Sequence, residues 1–118
     1  MTEIQNSKFD LEERTFKFAK EVRDFLKIVK RTISNIEYGK QLIRSSASVA
    51  ANYIEANEAL GKKDFFLHIK ISRKEAKETL LWIKLLDLEQ NQEIIRNKLL
   101  QEGNEIMKIF GAIVTKNN

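Results

Sequence analysis

FFLHIKISRKEAKETLLWIKLL, Phe65 to Leu86, is the stretch whose reading decides the fold. Laid out at 100° per residue it is a helix with three faces. Phe65, Ile69, Ser72, Ala76, Leu80, Ile83 and Leu86 form one stripe, suited to a core. Leu67, Ile71, Leu81, Trp82 and Leu85 gather near the opposite side. Between them run Lys63, Lys70, Lys77 and Lys84, spaced by seven, with Arg73 and Lys74 alongside. A helix that is apolar on two sides must bury both. A bundle offers an internal partner only for the first face, so the second is expected to meet another subunit. Left exposed, it would be an association liability.

The surrounding chain supplies three more helices. Leu11, Phe18, Val22, Phe25, Leu26, Val29 and Ile33 recur at helical spacing, with Lys20, Arg23, Lys27 and Lys30 behind them and Phe16 as an apolar exception. Residues 1–9 read as a polar arm, with Ser7 or Asp10 as the cap. Ser34-Asn35-Ile36-Glu37 matches a capping box, and Gly61 offers a stop. Between them Ile36, Leu42, Ile43, Ser46, Ala50, Tyr53, Ile54 and Asn57 are the expected core stripe. Asn91 is the expected cap of a last helix carrying Ile94, Ile95, Leu99, Ile106, Ile109, Phe110 and Ile113. The expected helices span about 10–32, 35–60, 64–87 and 91–115 in one domain, 1–118. Short connections make this an all-α, antiparallel up-down-up-down four-helix bundle.

The composition agrees. The chain has no proline, so nothing removes a backbone donor within a helix. It has no cysteine, which excludes disulfides and thiolate metal sites. No signal-peptide core or membrane-length apolar run is present, so the expected location is the cytoplasm. No glycine-rich phosphate loop is found. His68 is the sole histidine and cannot build a paired Glu-x-x-His metal site. The chain therefore reads as a non-enzyme without cofactor or metal.

The formal net charge is +4, and the basic excess sits in the first and third helices. Rows of lysine and arginine can neutralise phosphates and give salt-dependent binding without sequence preference. Lys63, Lys70, Arg73, Lys74, Lys77 and Lys84, with Lys20, Arg23, Lys27 and Lys30, are the candidate contacts to RNA or DNA. No aromatic interleaving of the kind that stacks on single-stranded bases is read in the lysine row. The alternative is a helical adaptor whose partner is a protein, using Phe16 or the Leu67, Ile71 and Trp82 strip.

The segment RSSASVAANYIEANE, Arg44 to Glu58, followed by GKKDFFLHIKISRKEAKETLLWIKLL, resembles the four-helix-bundle proteins encoded in 23S rRNA intervening sequences. Arg44, Ser48, Asn52 and Glu55 fall on that family's R-x-x-x-S-I-x-x-N-I-A-E-G pattern. Tyr53 replaces its usual aliphatic residue, and the glycine after the glutamate is absent. Glu75 and Glu78 match the family's acidic pattern, and FDLEERTFKFAKEVRDF also fits. The resemblance implies a bundle assembling as a homopentameric ring. It extends to accessory proteins of diversity-generating retroelements, which are basic rings that bind nucleic acid and a reverse transcriptase. Arg44, Ser48, Asn52 and Glu55, with Glu75 and Glu78, are then expected to form an ion-pair network at the subunit junction.

Overall fold

The computed structural model describes residues 3–116, with side-chain surroundings from residue 11 onward. Four α-helices follow one another: α1 Glu3–Leu26, α2 Ile33–Asn57, α3 Lys62–Leu85 and α4 Glu93–Lys116, with a single 3₁₀ turn, Gln90–Gln92, leading into α4. Contacts run in opposite senses along neighbouring helices. Arg44 of α2 meets Glu78 of α3, whereas Asn52 meets His68. Arg73 lies against Gly111 and Leu80 against Gly103, so α4 runs back along α3. Arg14 reaches Glu102 and closes α1 onto α4. The order is antiparallel throughout, with α1 and α3 on a diagonal.

The core is filled by large apolar side chains from all four helices. Phe18, Val22, Leu42, Val49, Ile69, Ile83, Ile106 and Phe110 are at most 1 % exposed. Fully burying a side chain of this size is worth about 1.5–3 kcal/mol. Tyr53 tilts against Phe110 at 5.7 Å between ring centroids. Burial, foremost, holds the Tyr53 phenol above its usual range.

Helix limits depart from the sequence reading where tertiary contacts override local signals. α1 begins at Glu3, because nothing in 3–9 breaks a helix. Ser7 and Asp10 thus lie within it and not at its cap, and their side chains fall outside the described residues. α1 also stops at Leu26, well before residue 32. The carbonyls of Ile28 and Lys30 accept from the side chains of Gln92 and Asn35, which holds this segment as a loop.

The expected cap or stop residues of the later helices, Ser34, Gly61 and Asn91, change role as well. Thr32, not Ser34, caps α2, its hydroxyl accepting from the Asn35 amide at 3.1 Å. Asn35 is buried and bridges both loops at this end, donating to the Lys30 and Asp87 carbonyls and accepting from the Asp87 amide. That pin sets where the helix starts. α2 ends at Asn57, and Gly61 begins α3 with ordinary negative φ. Glu89 and Gln92, not Asn91, form a capping box ahead of α4. Arg96 then donates to the Ile83, Lys84 and Leu86 carbonyls and closes the end of α3.

The core face of α2 is rotated from the expected one. Its buried residues are Asn35, Gly39, Leu42, Ser45, Ser46, Val49, Tyr53 and Ala56. Ile43 and Ile54 are about half exposed, at 50 % and 52 %. The helix turns its small side chains inward because α3 approaches closely there. Ser72 donates to the Val49 carbonyl at 3.0 Å, and the Thr79 hydroxyl lies 2.8 Å from Ser45 Oγ. Ile33, Ile94 and Ile95 are likewise exposed, at the bundle end stitched by Asn35, Gln92 and Arg96.

Candidate functional site

The charges of α3 are sorted onto two flanks by the neighbours each flank meets. On the α2 side, Arg44 donates from Nη1 to Glu75 at 3.1 Å and from Nη2 to Glu78. Gln41 accepts from the same guanidinium at 3.2 Å. Trp82 points its indole N–H toward Glu78 and stacks on Tyr38, 6.1 Å between centroids. Farther along, Asn52 donates to the Ser48 carbonyl and hydroxyl and faces His68 Nδ1 at 3.0 Å. His68 Nε2 lies 3.5 Å from Asp64. Two polar clusters thus line this seam. His68 joins this seam through both ring nitrogens. Glu55 is exposed and stands outside both clusters.

The other flank is cationic. Lys63, Lys70, Arg73, Lys74, Lys77 and Lys84 are all exposed, and none forms an ion pair with the described residues. Arg44 and His68 engage the acids of α3, and of these Glu78 also borders this flank. α4 supplies no acid here: Arg73 rests on Gly111, its Nε 3.5 Å from where a β-carbon would stand. Lys74, Lys77 and Lys84 border a groove of about 570 Å³ with Leu81, Asn104 and Met107, and Glu78, held by Arg44, stands at its rim.

Lys20, Arg23, Lys27 and Lys30, on α1 and the loop that follows it, do not join this surface, because α1 and α3 are diagonal in the bundle. They are also largely engaged. Arg23 and Lys27 both meet Asp24, and Lys30 meets Asp87 and Glu89. The Arg23 hydrogen bond, more than the contribution of Lys27, holds the Asp24 carboxyl below its usual range. Of the four, Lys20 is exposed with no ion pair to the described residues. Ten candidate contacts thus divide into a set without ion pairs on α3 and a largely neutralised set on α1 and the loop after it.

The expected second apolar face of α3 divides as well. Leu67, Leu81 and Leu85 are 54 %, 48 % and 42 % exposed. Ile71 and Trp82 are half-buried, and Trp82 is turned onto Tyr38. A further apolar strip went unread in the sequence. Ile43 and Ile54 share a flank of α2, and Phe16 lies on the α2 side of α1, one turn beyond Glu12, whose carboxylate accepts from Asn57. These three leave apolar surface on the α1–α2 edge, away from the α3 strip.

One aromatic was also missed. Lys62, Phe66, Lys70, Arg73 and Lys77 follow one another by four, four, three and four residues, so Phe66 lies in the cationic stripe. Its ring stands edge-on to Phe65 at 5.1 Å, with Lys62 Nζ 6.0 Å from its centroid. The reading that no aromatic interleaves with the lysines is corrected by this placement. The spacing alone could have found it.

Among the described residues no cluster of His, Cys, Asp and Glu could hold a metal ion, and no helix is long and apolar enough to cross a membrane. What the fold defines is an antiparallel four-helix bundle whose third helix separates an ion-paired flank from a cationic one. The chain belongs to the 23S rRNA-intervening sequence protein family, whose model matches residues 7–112. It is similar to a crystal structure of a protein of unknown function from the S23 ribosomal protein family of Bacteroides thetaiotaomicron. The two share 26% identity and a TM-score of 0.78, over 92% of this chain and 97% of the other. No curated protein matches the sequence.

Proposed function

We propose that the protein acts by binding and not by catalysis, as a cytoplasmic homo-oligomer whose α3 flank holds nucleic-acid phosphates. The observation that supports this is the flank of six exposed cations with no carboxylate partner among the described residues. Such a surface attracts counterions, and phosphates that replace them release those ions to solution. A net charge of +4 on each subunit, repeated around an assembly, strengthens the local field.

Two exposed apolar strips on different sides of the bundle support self-association. One carries Leu67, Leu81 and Leu85, the other Phe16, Ile43 and Ile54. Unlike patches that meet head to tail make a ring when the rotation closes. A homopentamer is the ring that the family resemblance implies. In that assembly the Arg44, Ser48 and Asn52 seam, with Glu55, Glu75 and Glu78, borders the junction between subunits.

The test is affinity for structured RNA and duplex DNA over a salt series, with light scattering on the same sample. Log affinity should fall with log salt at a slope of about −3 or steeper, as several phosphate contacts require. An affinity indifferent to salt, or no binding at low salt, overturns the phosphate reading. A monomer by light scattering overturns the ring. The Leu67, Leu81 and Leu85 strip also favours a second reading, a helical adaptor for a protein partner. That reading gains if pull-downs recover protein and no nucleic acid.

A further inference from the structure

We infer that the cationic flank is built for single-stranded nucleic acid, with one unpaired base seated on Phe66 at the α2–α3 turn. The inference rests on the phosphate-binding reading above and names its substrate class. An open hollow of about 580 Å³ lies at this turn, lined by Leu60, Gly61, Lys62, Phe65, Phe66 and Ile113. Among the described residues Lys62 is the one charged residue that lines it. An apolar hollow with an aromatic wall suits the flat face of a nucleobase, and stacking of this kind tolerates any base. Phe66 is only partly buried, and Phe65 fixes its orientation by an edge-to-face contact. Lys62 lies over the ring at 6.0 Å, the outer limit for attraction between a cation and a ring. An exposed lysine at that distance gives up the ring face at little cost and becomes available to a phosphate.

The stripe gives the strand a direction. From Phe66, the cations Lys70, Arg73 and Lys77 lie four, seven and eleven residues on along the same flank. At 1.5 Å of rise per residue they follow the hollow at about 6, 10 and 16 Å. A base held in the hollow therefore has its neighbouring phosphates led along α3. A duplex keeps its bases stacked inside and offers this surface only phosphates, so it gains nothing from Phe66.

The experiment compares fluorescence anisotropy of the full chain with a 12-nucleotide single-stranded RNA, the matching single-stranded DNA, and a blunt DNA duplex of equal length at one low salt concentration. Wild type, Phe66→Leu and Phe66→Trp are compared. Phe66→Leu should weaken both single strands about tenfold and leave the duplex unchanged, whereas Phe66→Trp should restore single-strand binding. The two single-strand arms show whether RNA or DNA is preferred. A strand carrying 5-iodouracil should photo-crosslink wild-type protein within the peptide that contains Phe66, which decides the matter even if Phe66→Leu does not fold. Single-strand binding that ignores Phe66 and crosslinks elsewhere overturns the inference and leaves the phosphate reading to its own salt series. Failure of the wild type to bind any of the three overturns both.

Discussion

The two seams that flank α3 are made of different chemistry although they share one helix of 24 residues. The α2–α3 seam is polar and small. Ser45, Ser72 and Thr79 are fully buried, and their hydroxyls meet each other and backbone carbonyls. Outside them lie Arg44 with Glu75 and Glu78. The α3–α4 seam is apolar and close at Gly103, and its outside is unneutralised charge. The difference teaches how one helix can be bound firmly on one side and leave its cations free on the other. Acids satisfied by α2 are not available to the lysines that face α4.

The largest expected effect comes from opening the close approach at Gly103. A β-carbon there would stand 2.8 Å from Leu80 Cδ2 and 3.1 Å from Phe18 Cζ, so α3 and α1 both resist it. Gly103→Val should cost about 3 kcal/mol, the upper end for overpacking a core. That is a fall of roughly 10 °C or more in the thermal midpoint. Equal thermal midpoints for variant and wild type would show that this seam yields freely. Gly111 is a control on the same helix, since a β-carbon there meets Arg73 only at ordinary contact distance, 3.5 Å.

The polar seam should respond next. Thr79→Val keeps the shape and removes a buried hydroxyl that lies 2.8 Å from both Ser45 Oγ and the Glu75 carbonyl. The expected loss is about 1–2 kcal/mol in urea denaturation. Adding Ser45→Ala removes the group left without its partner, so the pair should lose less than the two single losses together. Strict additivity would mean that the hydroxyls do not act as a pair.

How far the sequence could disclose this contrast follows from the residues involved. The core stripe of α3 was legible because Ile69, Ala76, Leu80 and Ile83 are apolar at helical spacing. The stripe of α2 was misplaced because hydropathy favours Ile43 and Ile54 over Ser45, Ala56 and Gly39. What α3 needs at its closest approach is small volume, which hydropathy does not report. The capping signals were similarly ambiguous. Thr32 and Ser34 are both good caps, and the choice was made by Asn35, which ties two loops separated by most of the helical hairpin. At the candidate site the lysine row was plain. Its freedom from carboxylates was not, because that depends on Arg44 in another helix. Phe66 was legible from its spacing to Lys70, Arg73 and Lys77, and was passed over because it adjoins the core residue Phe65.

A smaller effect is expected at the rim of the polar seam. Arg44 is 48% exposed at its side chain, so solvent weakens its attraction for Glu75 and Glu78. Arg44→Ala should cost about 0.5–1 kcal/mol. A double-mutant cycle with Glu78→Ala should return a coupling of similar size, which salt reduces. Zero coupling would remove Arg44 as the group that keeps the acids from the lysine flank.

The smallest effect on stability is the most telling for the contrast. Lys70 and Lys77 are exposed and make no ion pair with the described residues, so replacing them breaks no contact that holds the bundle. Lys70→Glu with Lys77→Glu should leave stability within about 0.5 kcal/mol of wild type, as is usual for surface changes away from special features. The same pair reverses four units of charge on the flank where phosphates are proposed to lie. It should therefore lower nucleic-acid affinity by well over tenfold at low salt and flatten the salt dependence. Lys20→Glu with Lys27→Glu, on α1 and just past its end, changes the net charge equally but lies across the bundle diagonal from α3. If both pairs weaken binding alike, only the total charge matters and the two flanks of α3 are not functionally distinct. A loss confined to the α3 pair, in a protein that melts as wild type does, places the binding on the flank that α2 leaves uncompensated.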